Sequence, residues 1–200
     1  MKERVVRIGV LALQGDFARH AAALERCGAE AVEVRKPDAL ADLDGLIIPG
    51  GESTTLLKLM DEWGFVPAIE KFHAEGKPIF GTCAGLIVLA REVENPRQFS
   101  LGLIDVAVER NAYGRQRESF EAPGTVTLDG RRHALEMVFI RAPRIRRVGP
   151  GVEALAQHGG ETVMARQGTV LVATFHPELT DDPAVHRYFC ELVKRVRVAA

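Results

Sequence analysis

Apolar residues in the first half of this chain arrive in short unbroken runs, each followed by a stretch with helical spacing. Val5 to Leu13 has the length and continuity of a buried strand, and a helix over Asp16 to Arg26 follows, ended by Gly28. Ala31 to Arg35 and Leu46 to Ile48 read as a second and a third strand. Helices around Thr54 to Trp63 and Val66 to Glu75 come next, then a strand at Pro78 to Phe80 and a helix over Gly85 to Arg91. Strands alternating with helices imply parallel crossover units in an open sheet, with functional residues outside the strands' C-terminal ends. From about Leu101 to Phe175 the pattern changes to short β-runs between turns: Ile104–Glu109, Gly124–Leu128, Met137–Ile140, Glu153–Gln157, Thr162–Arg166 and Val170–Phe175. Gln167-Gly168 reads as the hairpin turn between the last two. The final helix, Pro183 to Val196, carries Val185, Tyr188, Phe189, Leu192, Val193 and Val196 on one face, which docks it on the core. The expected fold is therefore α/β, an open and mostly parallel sheet flanked by helices, with β-hairpin additions in the second half. At 200 residues, without linkers, repeats or low-complexity segments, residues 1–200 are expected to form a single domain.

Composition narrows the function classes. A formal charge of −1 with acidic and basic residues interspersed argues against a nucleic-acid surface. The three cysteines, Cys27, Cys83 and Cys190, are an odd number and contain no C-x-x-C pair, which suits a reducing compartment better than a disulfide framework or a zinc site. Met1-Lys2-Glu3-Arg4 leads directly into a strand without a signal-peptide pattern, and no apolar run approaches membrane-spanning length. A cytoplasmic location without a membrane partner is expected.

Three segments carry candidate chemistry. In Gly81-Thr82-Cys83-Ala84-Gly85-Leu86 a cysteine stands between two glycines, directly after Pro78-Ile79-Phe80. That is the pattern of a nucleophile elbow, a strained strand-to-helix turn whose close neighbours leave no room for a Cβ at the flanking positions. In Phe175-His176-Pro177-Glu178-Leu179 a histidine is followed two residues later by a carboxylate. A thiol becomes a strong nucleophile when an imidazole takes its proton, and a third group fixes the imidazole tautomer. Cys83, His176 and Glu178 are thus a candidate triad in the order nucleophile, base, orienter. In Leu46-Ile47-Ile48-Pro49-Gly50-Gly51-Glu52-Ser53-Thr54-Thr55 a strand runs into two glycines, after which Ser53 or Thr54 is positioned to cap a helix. Such a loop can turn backbone N–H groups toward a developing negative charge, so Gly51, with the N–H of Ala84 after the nucleophile, is the expected oxyanion hole.

These segments resemble the class I (triad) glutamine amidotransferases. Pro-Gly-Gly-Glu-Ser-Thr, Gly-Thr-Cys-Ala-Gly-Leu and Phe-His-Pro-Glu-Leu look like the glutaminase subunits of glutamine-dependent pyridoxal 5′-phosphate synthases. Leu11-Ala12-Leu13-Gln14-Gly15, Val108-Glu109-Arg110-Asn111, Tyr113-Gly114-Arg115-Gln116 and Val138-Phe139-Ile140-Arg141-Ala142-Pro143 also agree. The resemblance runs from about Ile8 to the last helix. It implies hydrolysis of L-glutamine through a Cys83 thioester, with ammonia passed to a separate synthase subunit in a large hetero-oligomer and no cofactor or metal required. It also implies that Gly51, Glu52, Ser53, Arg110, Ile140 and Arg141 form the glutamine pocket. Gln14, at the end of the first strand and close to that pocket, is expected to help assemble the oxyanion hole when a partner docks. The guanidinium groups suit the α-carboxylate of glutamine.

Rival readings are the glutaminase of another synthase, such as that of imidazole glycerol phosphate, a stand-alone cysteine hydrolase, and a non-catalytic module on the same fold. Gly-Gly-Glu-Ser-Thr speaks against the first, and an intact triad against the last. Cys27, Cys190 and the histidines at 20, 73, 133, 158 and 186 are expected to be packing, structural or solvated residues.

Overall fold

A computed structural model describes residues 4–110 and 119–199. Expectations for Asn111, Tyr113, Gly114, Arg115 and Gln116 therefore lie outside the described residues. The crossover units form as the pattern requires: β1 (Arg7–Leu11), α1 (Phe17–Arg26), β2 (Glu30–Val34), β3 (Gly45–Ile48), α2 (Ser53–Glu62), α3 (Phe65–Ala74), β4 (Ile79–Thr82) and α4 (Ala84–Leu89). The chain continues through β5 (Ala90–Glu94), β6 (Ile104–Glu109), β7 (Ser119–Leu128), β8 (Arg131–Ile140), β9 (Arg144–Val148), β10 (Glu153–His158), β11 (Glu161–Gln167), β12 (Val170–Ala173) and α5 (Ala184–Ala199).

Twelve strands make two sheets among the described residues. The larger has nine strands in the order β2-β1-β3-β4-β12-β11-β10-β7-β8. Its first five are parallel, and from β12 onward every pair is antiparallel. The second sheet, β5-β6-β9, joins a parallel and an antiparallel pair. β3, β4 and β12 are buried along their whole length, which accounts for their unbroken apolar sequences. Because β12 sits between β4 and β11, neither half of the chain owns a complete sheet.

Two apolar layers cover the large sheet. One packs α2, α3 and α4, together with Val93, Ile104, Val106, Val108 and Ile145 of the small sheet, against one face. The other packs Leu24 of α1 and Val185, Tyr188, Phe189, Leu192 and Val193 of α5 against the opposite face. The apolar stripe read from the sequence of α5 is thus the face that docks, with Val196 at its partly buried end.

Three expectations need correction. The helix placed over Gly85 to Arg91 ends at Leu89, and Ala90–Glu94 pairs in parallel with β6 instead. Helix-favouring Arg91, Glu92 and Glu94 lie on the exposed side while Ala90 and Val93 are buried, so tertiary pairing overrides propensity. Arg144–Val148 is a strand that the sequence did not suggest, because three of its five residues are arginines. Those charges are met by acids from neighbouring strands: Arg144 and Arg146 by Glu161, Arg146 also by Glu109, and Arg147 by Glu92 and Asp105. Finally, β7 and β8 each run ten residues, longer than the short runs expected, and turn through Asp129 and Gly130 with φ of 48° and 74°. That pair of positive φ values is the two-residue hairpin geometry for which Asp-Gly is suited.

Candidate active site

β1, β3, β4 and β12 lie side by side and parallel, so the loops after them gather at one edge of the sheet. Those loops hold Gln14, Gly50-Gly51-Glu52, Cys83 and His176-Pro177-Glu178. Cys83 links β4 to α4 with φ 49° and ψ −103°, a conformation that L residues rarely adopt and that costs on the order of 1–3 kcal/mol. Its N–H is held by the carbonyl of Ala173 at 2.9 Å, and its carbonyl accepts from Ile87 N–H at 3.2 Å. The flanking glycines are obligatory for steric reasons. A Cβ on Gly85 would stand 2.0 Å from the carbonyl oxygen of Ile48, and one on Gly81 2.6 Å from the carbonyl carbon of Gly85.

The histidine and carboxylate come together by a short turn. His176 N–H donates to Val138 O at 2.8 Å, and Pro177–Leu179 closes a 3₁₀ turn that brings Glu178 back under the ring. His176 Nδ1 and Glu178 Oε1 are 2.7 Å apart, with both residues buried. Gly50 separates this ring from Cys83: a Cβ there would stand 2.6 Å from His176 Cε1 and 3.2 Å from Cys83 Cβ. His176 Nε2 is buried and makes no hydrogen bond of ordinary geometry, so it is open to the thiol and to a reacting group. Burial disfavours the charged imidazole, but the interaction of the ring with Cys83 and Glu178 outweighs it, raising the His176 pKa to about 10. His176 accordingly rests as the imidazolium.

The remaining predicted residues surround this centre. Ala84 opens α4, so its N–H is among the amino-terminal donors that the helix itself cannot satisfy. Gly51 has φ 140°, and a Cβ on it would stand 2.7 Å from Gln14 Nε2, which donates to Glu52 O at 2.7 Å. Gln14 is therefore lodged against the very loop expected to form the oxyanion hole. Ile140 ends β8 with its carbonyl 3.9 Å from Cys83 Sγ, and Arg141, at φ 42°, is exposed beside it. Arg110 Nη2 donates to Thr54 Oγ1 at 2.8 Å and lies 3.5 Å from Glu52 Oε1.

The cap of α2 differs from expectation. Glu52, and not Ser53 or Thr54, accepts from the N–H groups of Thr54 and Thr55 at 3.0 and 2.7 Å. Partial burial works against its charge, yet the hydrogen bonds from Thr54 and Thr55 lower its pKa to about 2. Ser53 is buried as the first residue of the helix, and its hydroxyl donates to Gln98 Oε1 at 3.1 Å. Among the described residues, no group of three or more His, Cys, Asp and Glu side chains is placed to hold a metal ion, and no helix is long and apolar enough to cross a membrane.

A strained cysteine elbow beside a buried histidine–carboxylate pair, with helix amides at hand, is machinery for acyl transfer. A model of the SNO glutamine amidotransferase family matches residues 10–195. The chain belongs to that family. Among its relatives, a Niallia circulans protein described as pyridoxal 5′-phosphate synthase subunit PdxT is 51% identical over 192 residues, covering 96% of this chain and 100% of the relative. A Koribacter versatilis (strain Ellin345) protein of the same description is 56% identical over 189 residues, covering 94% and 96%. A solved structure described as a glutamine amidotransferase superposes with a TM-score of 0.86 at 53% identity, covering 94% of this chain and 98% of that one.

Three features of this glutamine amidotransferase were not visible in its sequence. Gly50 was read only as half of a flexible pair, whereas it lies between Cys83 and the His176 ring. Gln98, the partner of Ser53 and Thr54, lies 45 and 44 residues from them and follows no motif. His20, expected to be structural or solvated, is fully buried with Nε2 3.4 Å from Glu178 Oε2. No spacing rule could have found a contact between α1 and a turn more than 150 residues later.

Proposed function

We propose that this amidotransferase, acting as a single domain in the cytoplasm, hydrolyses L-glutamine to glutamate and ammonia and passes the ammonia to a synthase subunit that makes pyridoxal 5′-phosphate. The observation that carries the chemistry is the 2.7 Å His176–Glu178 contact behind a strained Cys83. The Cys83 thiolate attacks the side-chain amide carbon, and negative charge passes to the amide oxygen. N–H groups of Gly51 and Ala84 receive that charge; one such donor is typically worth about a hundredfold or more in rate. Imidazolium His176 gives its proton to the departing nitrogen, which leaves as ammonia while Cys83 holds the glutamyl group as a thioester. Neutral His176 then takes a proton from water, whose oxygen attacks the thioester carbon, and glutamate leaves as the thiolate and imidazolium return. Glu178 keeps Nδ1 protonated throughout, so that Nε2 does the exchanging. In this reading Arg110 and Arg141 hold the α-carboxylate of glutamine, and Glu52, Ser53 and Ile140 shape the rest of the pocket. The scheme uses only protein groups and water.

Labelling tests it. A diazo-ketone analogue of glutamine should modify Cys83 and spare Cys27 and Cys190, whose thiols burial pushes up, the latter to about 12. Equal labelling of all three thiols in a peptide map would count against the triad.

A further inference from the structure

Behind the catalytic pair lies a second polar chain that the scheme above does not use. His20 on α1 and His186 on α5 are both fully buried, 166 residues apart in sequence, with His20 Nδ1 2.9 Å from His186 Nε2. The other nitrogen of His20 lies 3.3 Å from Thr82 Oγ1 and 3.4 Å from Glu178 Oε2. Phe80 meets both rings edge-on, and Phe189 packs on Phe80, so the surroundings are otherwise apolar. Two imidazoles aligned nitrogen to nitrogen, and then toward a carboxylate, are an expensive way to fill such a space.

The tautomers follow from the acceptors. Glu178 accepts only, and its Oε2 is buried without a hydrogen bond of ordinary geometry. If His20 carried its proton on Nδ1, a bare nitrogen lone pair would face this oxygen. The Nδ1 proton would then point at His186 Nε2, forcing the proton of His186 onto Nδ1, which is buried without a partner. The opposite assignment leaves one bare acceptor at His186 Nδ1 and no orphaned donor. His186 Nε2–H then donates to His20 Nδ1, and His20 Nε2–H points at Glu178 Oε2 and Thr82 Oγ1. Burial first, and then the charges of His186 and His176, hold His20 well below the ordinary imidazole pKa. Burial and Arg26 lower His186 to about 4. The pair therefore presents dipoles and adds no charge.

We infer that His20, with its tautomer set by His186, is a positioning residue for the triad: its Nε2–H holds the second oxygen of Glu178 so that the first stays on His176 Nδ1. The contact needs to shorten by only a few tenths of an ångström to become an ordinary hydrogen bond, and catalytic hydrogen bonds are commonly long before substrate binds. A buried carboxylate with one oxygen unheld can swing about its Cγ–Cδ bond, and the imidazole it orients swings with it. Thr82 places β4 in the same network, one residue before the nucleophile.

This rests on reading Cys83, His176 and Glu178 as the triad, and the test separates the two. Long-range proton–nitrogen NMR of the full chain labelled with ¹⁵N should show His20 protonated on Nε2 and bare on Nδ1; the reverse tautomer overturns the inference without any mutation. His186→Leu should leave His20 in a mixture of both forms, and an undisturbed Nε2–H form would remove His186 from the chain. For glutamine hydrolysis with saturating synthase subunit, His20→Leu should lower kcat about tenfold or more with KM unchanged, the usual size for a group supporting a catalytic ligand. His20→Gln, which keeps an N–H donor, should recover most of that loss. Wild-type kcat in a folded His20→Leu protein overturns the inference, and if that variant does not fold, the tautomer decides alone. Activity retained by Cys83→Ala would instead defeat the triad reading, whatever His20 shows.

Discussion

At the scale of single residues, His176 is the group whose protonation state the site has been built to control. Its upward shift opposes the effect of its burial, so it depends on the two neighbours that outweigh that burial, Cys83 and Glu178. The wild-type imidazole should hold its second proton to about pH 10 by NMR, whereas Cys83→Ala should titrate at clearly lower pH. The sign for stability follows: with a folded pKa above the ordinary 6.5, the group contributes fully below 6.5, and the contribution is lost as pH rises through about 10. Urea unfolding at pH 6 and pH 10 should therefore show a larger loss for wild type than for Cys83→Ala, and equal losses would mean that the thiol does not hold the imidazolium. The turn that holds Cys83 and the contact of His176 with Glu178 were legible in the sequence because each lies in a local signature, a Gly-flanked cysteine or a His-Pro-Glu turn. His20 was not, because its importance lies wholly in what folding brings to it.

Between elements, the loops at the sheet edge separate stability from chemistry. Gly85→Ala drives a Cβ into the backbone oxygen of Ile48 at 2.0 Å, and backbone cannot step aside. It should lower stability by about 1–3 kcal/mol, the usual range for overpacking, in a urea or thermal melt. Gly50→Ala instead meets the His176 ring at 2.6 Å, a side chain that can rotate away. It should abolish most glutaminase activity at a smaller stability cost; if the two variants lost stability alike, Gly50 would be a packing position only. Glu52→Ala should weaken α2 by on the order of 1 kcal/mol, as loss of an N-cap does. Since the Glu52 carboxylate has a folded pKa near 2 against an ordinary 4.5, the difference from wild type should persist above pH 4.5 and shrink as pH falls toward 2. A difference independent of pH would show that the charged carboxylate is not the cap. Parallel strands and the α5 stripe were readable from apolar runs and helical spacing. β5 and β9 were not, because their exposed charged residues conceal the pairing and find their partners on other strands.

For the whole molecule, the contact of Gln14 with Glu52 O predicts how a partner would be felt. If Gly51 supplies the oxyanion donor as proposed, a docked synthase subunit activates by binding better to the form in which Gly51 presents its N–H. Ammonia release should rise by an order of magnitude or more when synthase is added, the size of one recruited donor, and Gln14→Ala should blunt that rise more than it weakens the isolated chain. Identical release with and without saturating synthase would leave a free hydrolase. The place of β12 also bears on how the protein is made. It enters the sheet between β4 and β11, and its Ala173 carbonyl is what holds Cys83 N–H in its unusual conformation. Ribosomes add residues from the amino terminus, so Cys83 is translated about ninety residues before this strand and before His176. Through that interval Cys83 lacks both the Ala173 carbonyl that holds its N–H and the imidazole of His176. On the roles proposed for Cys83 and His176, glutamine is attacked only once β12 has been inserted, so the entry of that one strand is the event that arms the thiol.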